Sequence, residues 1–151
     1  FRGQIIVSAP IAKPLRRMHF SLDHGYVYGT ITADNRLLIG GWRNNIPGNE
    51  SGTYKLEINP DIEQGLKQIS EQIFNFDIPS WEYSWSGIMG SSKTGLPFIG
   101  PTNSPIIFTC SGCTGYGFGW FHGGAKMLVD IMLGNNLPEG YQYLNPATGV
   151  L

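Results

Sequence analysis

The residues best suited to chemistry lie between positions 106 and 133. Cys110 and Cys113 form a Cys-Ser-Gly-Cys pair, and a glycine-rich run over residues 112–119 leads into an apolar segment. A lone C-x-x-C is either a redox pair or half of a zinc site. Zinc needs two further ligands, and His19, His24 and His122 show no H-x3–5-H spacing. The βαβ context of a thioredoxin-like motif is absent too. The pair therefore reads as two small side chains at the end of a buried strand.

The glycine run imitates a dinucleotide fingerprint, with a strand over residues 106–109, a loop and then a helix. The G-x-G-x-x-G test fails, because Gly117 and Gly119 are followed by His122 at the third position. The fingerprint should also open a βαβ unit with an acidic strand end about 20 residues on, and here the chain has nearly ended. The local shape keeps its physical meaning. Free N–H groups at a helix start, with no Cβ in the way, attract partial negative charge. Gly112, Gly115, Gly117 and Gly119 either let that backbone approach a flat ligand or only permit tight strand–helix packing. No nucleophile–base pair, paired carboxylates or Walker-type phosphate loop stands out. His122, one turn into the last helix, is a formal general-base candidate.

The elements that must position these residues follow from periodicity and punctuation. Residues 3–9 read as a strand ended by Pro10 and Pro14. Residues 17–22 alternate, with Met18, Phe20 and Leu22 on one face, and Asp23-His24-Gly25 is a turn. Two β-rich runs, 26–33 and 36–41, flank Asp34-Asn35 as a two-residue hairpin turn. A helix is predicted over residues 60–75. Asn59 is its N-cap, Pro60 its first residue, Asp61 and Glu63 lie at its positive end, and Ile62, Leu66, Ile69 and Ile73 lie on its buried face. Residues 81–89 form an aromatic strand and residues 91–105 a loop. The last helix, 119–133, carries a stripe of Phe121, Ala125, Leu128, Val129 and Met132, closed by Gly134 with Pro138 beyond. The class is α+β, with a mainly antiparallel sheet and flanking helices.

Composition narrows the function classes. The 151 residues suit one domain by size and suffice for a real core. A net charge of −1 argues against nucleic-acid binding, which calls for a basic patch. No apolar run reaches the roughly 18 residues of a membrane span. The opening Phe1-Arg2-Gly3-Gln4 reads as the middle of a protein with no signal peptide, so a cytoplasmic location is expected. Only 14% of residues are charged, which is low for a soluble domain. Part of this surface is therefore expected to be covered by another domain or a ligand, or to drive self-association.

Three stretches carry a family resemblance. Arg2-Gly3-Gln4-Ile5-Ile6 resembles the R-G-Q strand that leads into the substrate domain of FAD-dependent oxidoreductases of the D-amino-acid oxidase and glycine oxidase type. Trp85-Ser86-Gly87-Ile88-Met89-Gly90, followed by Gly95-Leu96-Pro97-Phe98-Ile99-Gly100, is similar to that family's W-x-G-x-M-G … D-G-L-P-x-I-G pattern. Cys113-Thr114-Gly115-Tyr116-Gly117-Phe118 looks like its G-H-x-G-x-G loop. The three occur in the family's order and span almost the whole chain.

The resemblance implies a C-terminal part of a larger flavoenzyme. Residues 1–94 would belong to the substrate domain, and residues 95–151 would return to the FAD domain, whose N-terminal G-x-G-x-x-G half this chain lacks. It implies that Cys113, Thr114, Gly115, Tyr116, Gly117 and Phe118 lie against the flavin pyrimidine, where N–H groups stabilise negative charge at O2/N1. Tyr28, Arg43, Trp85 and Met89 are the substrate-side candidates. Trp85 forms either a pocket wall or core, and Tyr28 either lines the pocket or packs. The family's carboxylate-clamping Arg falls at Met89, which cannot form a bidentate ion pair. Arg43, beside Trp42, is a candidate replacement, with surface solvation as the bland alternative. Thr94 stands where the family often has Asp. The implied activity is oxidation of a C–N bond of an amine or amino acid by hydride transfer to FAD. A non-catalytic binding or assembly module of the same shape is the alternative. The small-molecule substrate and the missing FAD domain are the implied partners, and the isolated chain is expected to be inactive.

Overall fold

A computed structural model describes residues 1–104 and 106–146. The chain divides into two units at Ile88/Met89, each with its own sheet.

The first unit holds β1 (Arg2–Ser8), β2 (His19–Leu22), β3 (Val27–Ile31), β4 (Leu37–Gly41), α1 (Pro60–Ile73) and β5 (Trp81–Ile88). Its five strands lie in the order β2-β3-β4-β1-β5, and every neighbouring pair is antiparallel. Strand side chains alternate between faces, and one face of this sheet is the core. Ile6, Val27, Ile31, Leu37 and Ile39 pack there with Ile11 and with Ile62 and Leu66 of α1. Ser8, fully buried, keeps this interior satisfied, since its hydroxyl donates to the Ala9 carbonyl and accepts from the Leu37 N–H.

Helix α1 starts as the residue types dictate. The Asn59 side chain accepts from the Asp61 N–H, Pro60 needs no acceptor, and Glu63 pairs with Lys67 one turn on. Its buried face is Ile62, Gly65, Leu66 and Ser70. The expected fourth apolar position, Ile73, is exposed at the helix end. Ser70 takes the buried place, its hydroxyl donating to the Leu66 carbonyl. Gly65 sits mid-helix because a Cβ there would lie 1.9 Å from the Trp42 indole nitrogen.

A polar cluster ties α1 to β1. The Gln4 side chain is 1% exposed, accepts from the Asn59 N–H at 2.8 Å and donates to the Asn59 carbonyl at 3.2 Å. Two residues earlier, Arg2 pairs with Glu50 at 2.6 Å, and the Asn59 amide donates to the same carboxylate. The Arg-Gly-Gln motif thus holds a strand to a helix start.

The hairpin between β3 and β4 differs from the expected two-residue turn. Thr32 and Arg36 close it through Thr32 N–H to Arg36 carbonyl, and three residues lie between them. Asn35 takes positive φ (62°) and its N–H donates to the Thr32 carbonyl. Ala33 has left the strand because the extra turn residue fits the sheet twist.

The second unit holds β6 (Phe98–Pro101), β7 (Phe108–Ser111) and α2 (Gly117–Leu133). Two corrections to the sequence reading belong here. The expected loop over 91–105 contains β6, and the following strand is displaced to 108–111, leaving Ile106 and Ile107 exposed. Glycine and proline in Leu96–Pro101 disguise a strand that exists because β7 pairs with it. The expected apolar stripe of α2 also faces the wrong way. Phe121, Ala125, Val129 and Met132 are exposed, while the helix meets the ribbon through Gly124. A Cβ at Gly124 would lie 2.8 Å from Cys110 Sγ and 3.1 Å from Ile99, so the close approach selects the glycine face. The helix ends at Gly134 in the left-handed region, its N–H returning to Asp130 and Ile131.

The Glu50 cluster carries a pH dependence. Burial alone would raise this carboxyl, but hydrogen bonds from Arg2 and Asn59 and the Arg2 charge outweigh it and hold it below the usual range. A carboxyl lowered in the folded state stabilises above its unfolded pKa, about 4.3, and that contribution is lost as pH falls through the folded value. Glu50→Gln should lower the urea midpoint at pH 7 and lower it by less at an acidic pH, where part of that contribution is lost. A wild-type–variant difference of equal size at both pH values would disprove the coupling.

Candidate functional site

On the face of the five-stranded sheet opposite α1, the strand registers align four residues in one row. Trp85 of β5 faces Ile5 of β1, Ile5 faces Gly40 of β4, and Gly40 faces Tyr28 of β3. The two sequence-predicted aromatics, 57 positions apart in the chain, therefore stand on one surface. Trp85 is 45% exposed, which excludes a core role for it, and Tyr28 is half-buried. Gly40 makes the floor between them. A Cβ there would lie 2.8 Å from Ile5 Cγ1 and 3.1 Å from the Tyr28 ring, so only glycine lets both side chains lie across β4.

The chain leaves β4 through two unusual residues. Gly41 has φ +110° and Trp42 φ 67°, and the Trp42 N–H donates to the Tyr26 carbonyl at 2.7 Å. This bend starts the short turn Arg43–Asn45 and aims Arg43 back over the end of β3. The Arg43 guanidinium lies 4.0 Å from the centre of the Phe1 ring and 4.9 Å from that of Tyr26. Its charge also reaches Tyr28. Burial pushes the Tyr28 phenol up, and Arg43 offsets part of that rise. Arg43 is half-buried rather than a solvated surface group. Among the described residues it makes no ion pair. The two rings against it were not foreseeable, because a cation–π contact leaves no spacing signal in the sequence.

The second unit arranges the glycine loop. Cys113 is buried and bridges to Ser91, and the Thr114 N–H donates to the Gly90 carbonyl at 3.1 Å. The Thr114 hydroxyl accepts from the Ser92 N–H and donates to the Gly112 carbonyl. Thr114 and Gly115 both take positive φ, 51° and 87°. Tyr116 caps α2, whose first residues Gly117 and Phe118 offer N–H groups with no acceptor inside the helix. Tyr116 is exposed and Phe118 fully so, at 103%. A Cβ at Gly115 would find only Met89 Sδ, at 3.8 Å, so Met89 stands beside the loop. The surface above Gly115 is otherwise open.

The remaining candidates are plainer. His19, His24 and His122 are exposed. Cys110 and Cys113 are free thiols, and burial, then the neighbouring Cys113, pushes the Cys110 thiol up. Reactive cysteines carry lowered values, so Cys110 has the character of a packing residue. No group of three or more metal-ligating side chains occurs among the described residues. No helix among them is long and apolar enough to cross a membrane.

The first unit is a five-stranded antiparallel sheet with one helix packed on it, and the second is a two-stranded ribbon followed by a glycine loop and a helix, so the class is α+β. The sequence matches the family of FAD dependent oxidoreductases termed DAO over residues 1–131, and the chain belongs to that family. Its fold is similar to the crystal structure of glycine oxidase from Geobacillus kaustophilus, with a TM-score of 0.75 at 18% identity. The match covers 95% of this chain and 37% of that one, so the chain spans little more than a third of its structural relative.

The bend at Gly41 is testable. A Cβ there would fall 1.8 Å from the Tyr26 carbonyl oxygen, in a backbone conformation that side chains rarely adopt. Gly41→Ala should destabilise the protein by more than about 2 kcal/mol, from combined strain and clash. A urea midpoint within error of wild type would show that the bend yields freely.

Proposed function

We propose that this chain is the C-terminal part of an FAD-dependent oxidoreductase that oxidises a C–N bond of an amine or amino acid. Its first unit would supply substrate-domain surface. The stretch from residue 95 onward would belong to the FAD domain, whose main dinucleotide site lies in a part of the parent outside this chain. The family membership supports the flavin chemistry, and the amine substrate is carried over from the glycine oxidase likeness.

The single observation that carries this reading is the loop of Cys113, Thr114, Gly115, Tyr116, Gly117 and Phe118. Its geometry fits a flat, electron-accepting ring. Gly115 presents bare backbone with open space above it, and the free N–H groups at the start of α2 favour negative charge. Bound flavin would supply the hydride-accepting chemistry. The loop residues would hold the ring edge and stabilise charge gained there. Tyr28 and Trp85 would line the substrate side of the first unit with Arg43, and Met89 would pack beside the loop. The free thiols at Cys110 and Cys113 suit a reducing, cytoplasmic setting.

In this reading the chain alone binds FAD weakly or not at all. A few loop hydrogen bonds of about 1 kcal/mol each do not offset the several kcal/mol of lost rigid-body freedom. Titrating FAD into the isolated chain should give no saturable binding, while the parent purifies with flavin absorbance. Gly115→Val in the parent, a branched side chain at φ 87°, should lower flavin content or slow flavin reduction. Micromolar FAD binding by the isolated chain, or wild-type reduction in the variant, would refute this division of labour.

The exposed apolar side chains of α2, among them Phe118, Phe121, Val129, Met132 and Leu133, support covering by the rest of the parent. Removed from it, the chain should self-associate. A clean monomer in sedimentation at high concentration would count against that.

A further inference from the structure

Before α1 the chain runs Thr53-Tyr54-Lys55-Leu56-Glu57-Ile58, a strict alternation of polar and apolar residues of the kind that builds a strand. Threonine, tyrosine and isoleucine favour strands, and the backbone is extended on either side, at Ser51 and Asn59. No strand among the described residues pairs with this run. One of its edges is used by the unit itself. The Lys55 carbonyl accepts from the Arg2 guanidinium at 3.1 Å, the Lys55 N–H donates to the Thr53 hydroxyl, and Gln4 holds both the N–H and the carbonyl of Asn59. In an extended chain alternate residues turn their N–H and C=O groups to opposite edges. Those of Tyr54, Leu56 and Ile58 therefore turn away from β1, and they find no partner among the described residues. The side chains stand in water too, Tyr54 88% exposed and Leu56 69%. Native proteins blunt an open edge with proline, a bulge or lysines. Here the one lysine is balanced by a glutamate two residues on.

We infer that this edge pairs with the same edge of a second copy of the protein, antiparallel about a two-fold axis at Leu56. The order of charges selects that arrangement. Lys55 then faces Glu57 of the partner subunit and Glu57 faces Lys55 of the partner subunit, while Tyr54 meets Ile58 of the partner subunit as an aromatic and β-branched pair. Only the even-numbered residues turn outward, so a slip moves the register in steps of two. A slip one way sets lysine against lysine and the other way glutamate against glutamate, and a parallel pairing in register does both. Like charges directly opposite destabilise a strand pair, so one register remains. Within one copy the two charged heads are mostly exposed and only 3.9 Å apart at best, a pair worth little, and both can reach across instead. A two-fold contact must be complementary to itself, and this run is. So short a ribbon falls below the roughly 1,200 Å² of stable interfaces, which makes the dimer weak and dependent on concentration. The contact uses neither the glycine loop nor α2, and it stands apart from the flavoenzyme reading.

The test is sedimentation velocity of the full-length parent over a concentration series, with thermal melting to check that each variant folds. Wild type should show a monomer–dimer equilibrium. Lys55→Glu or Glu57→Lys alone sets like charges across both symmetry-related pairs, and should weaken the dimer about tenfold or more. An equimolar mixture of these two variants should associate with close to wild-type strength, because each then meets the opposite sign on its partner. That rescue acts only between copies, so a role inside one chain does not produce it. Leu56→Pro removes an N–H at the centre of the ribbon and should abolish the dimer. A wild-type parent that stays monomeric at every concentration would overturn the proposal. So would association that survives the charge reversals or Leu56→Pro, or a mixture of the two reversed variants that fails to associate.

Discussion

The buried amide of Gln4 is the interaction on which the first unit depends. It bonds both the N–H and the carbonyl of Asn59, the residue that caps α1. A buried amide left without partners costs about 1–3 kcal/mol, so the contact dictates where the helix begins relative to β1. Arg2 extends the same logic through Glu50, whose carboxylate also receives the Asn59 amide. With the helix start fixed, Ile62 and Leu66 meet Ile6 and Ile39, and one face of the sheet is closed.

Closing that face leaves the other open. Alternation along β1, β3, β4 and β5 sends Ile5, Tyr28, Gly40 and Trp85 to the side without α1. Glycine at 40 keeps that side low enough for Tyr28 to lie across it, and glycine at 41 turns the chain so that Arg43 returns over Phe1 and Tyr26. Trp42 links the two sides, since its indole rests on Gly65 of α1 while the next residue enters the candidate site. Stability of the core and placement of Arg43 therefore share one tryptophan.

The second unit follows another economy. Its ribbon of two strands is too small to bury a helix as apolar as α2, and only Gly124 is buried along seventeen residues. An apolar helix left open to water marks a surface meant for contact. The same close approach at Gly124 that seats the helix on Cys110 and Ile99 starts it beneath the Thr114–Gly115 bend.

Much of this was legible in the sequence. The α1 boundaries, the antiparallel strands and the glycine loop rest on local rules, namely caps, period-two alternation and positive-φ residue types, which act within a few positions. Those rules failed where a partner distant in sequence decides the outcome. Phe98–Pro101 is a strand only because Phe108–Ser111 pairs with it, and the buried side of α2 was chosen by close approach to Cys110 rather than by its apolar residues. The candidate site divides in the same way. Sequence alone determined the candidates, Tyr28, Arg43, Trp85, Met89 and the loop at residues 113–118. Only the tertiary structure decided that Tyr28 and Trp85 share a row and that Arg43 lies against Phe1 and Tyr26, with no carboxylate paired to it among the described residues. Strand register and cation–π contact are set by chain segments tens of residues apart, and no local periodicity encodes them.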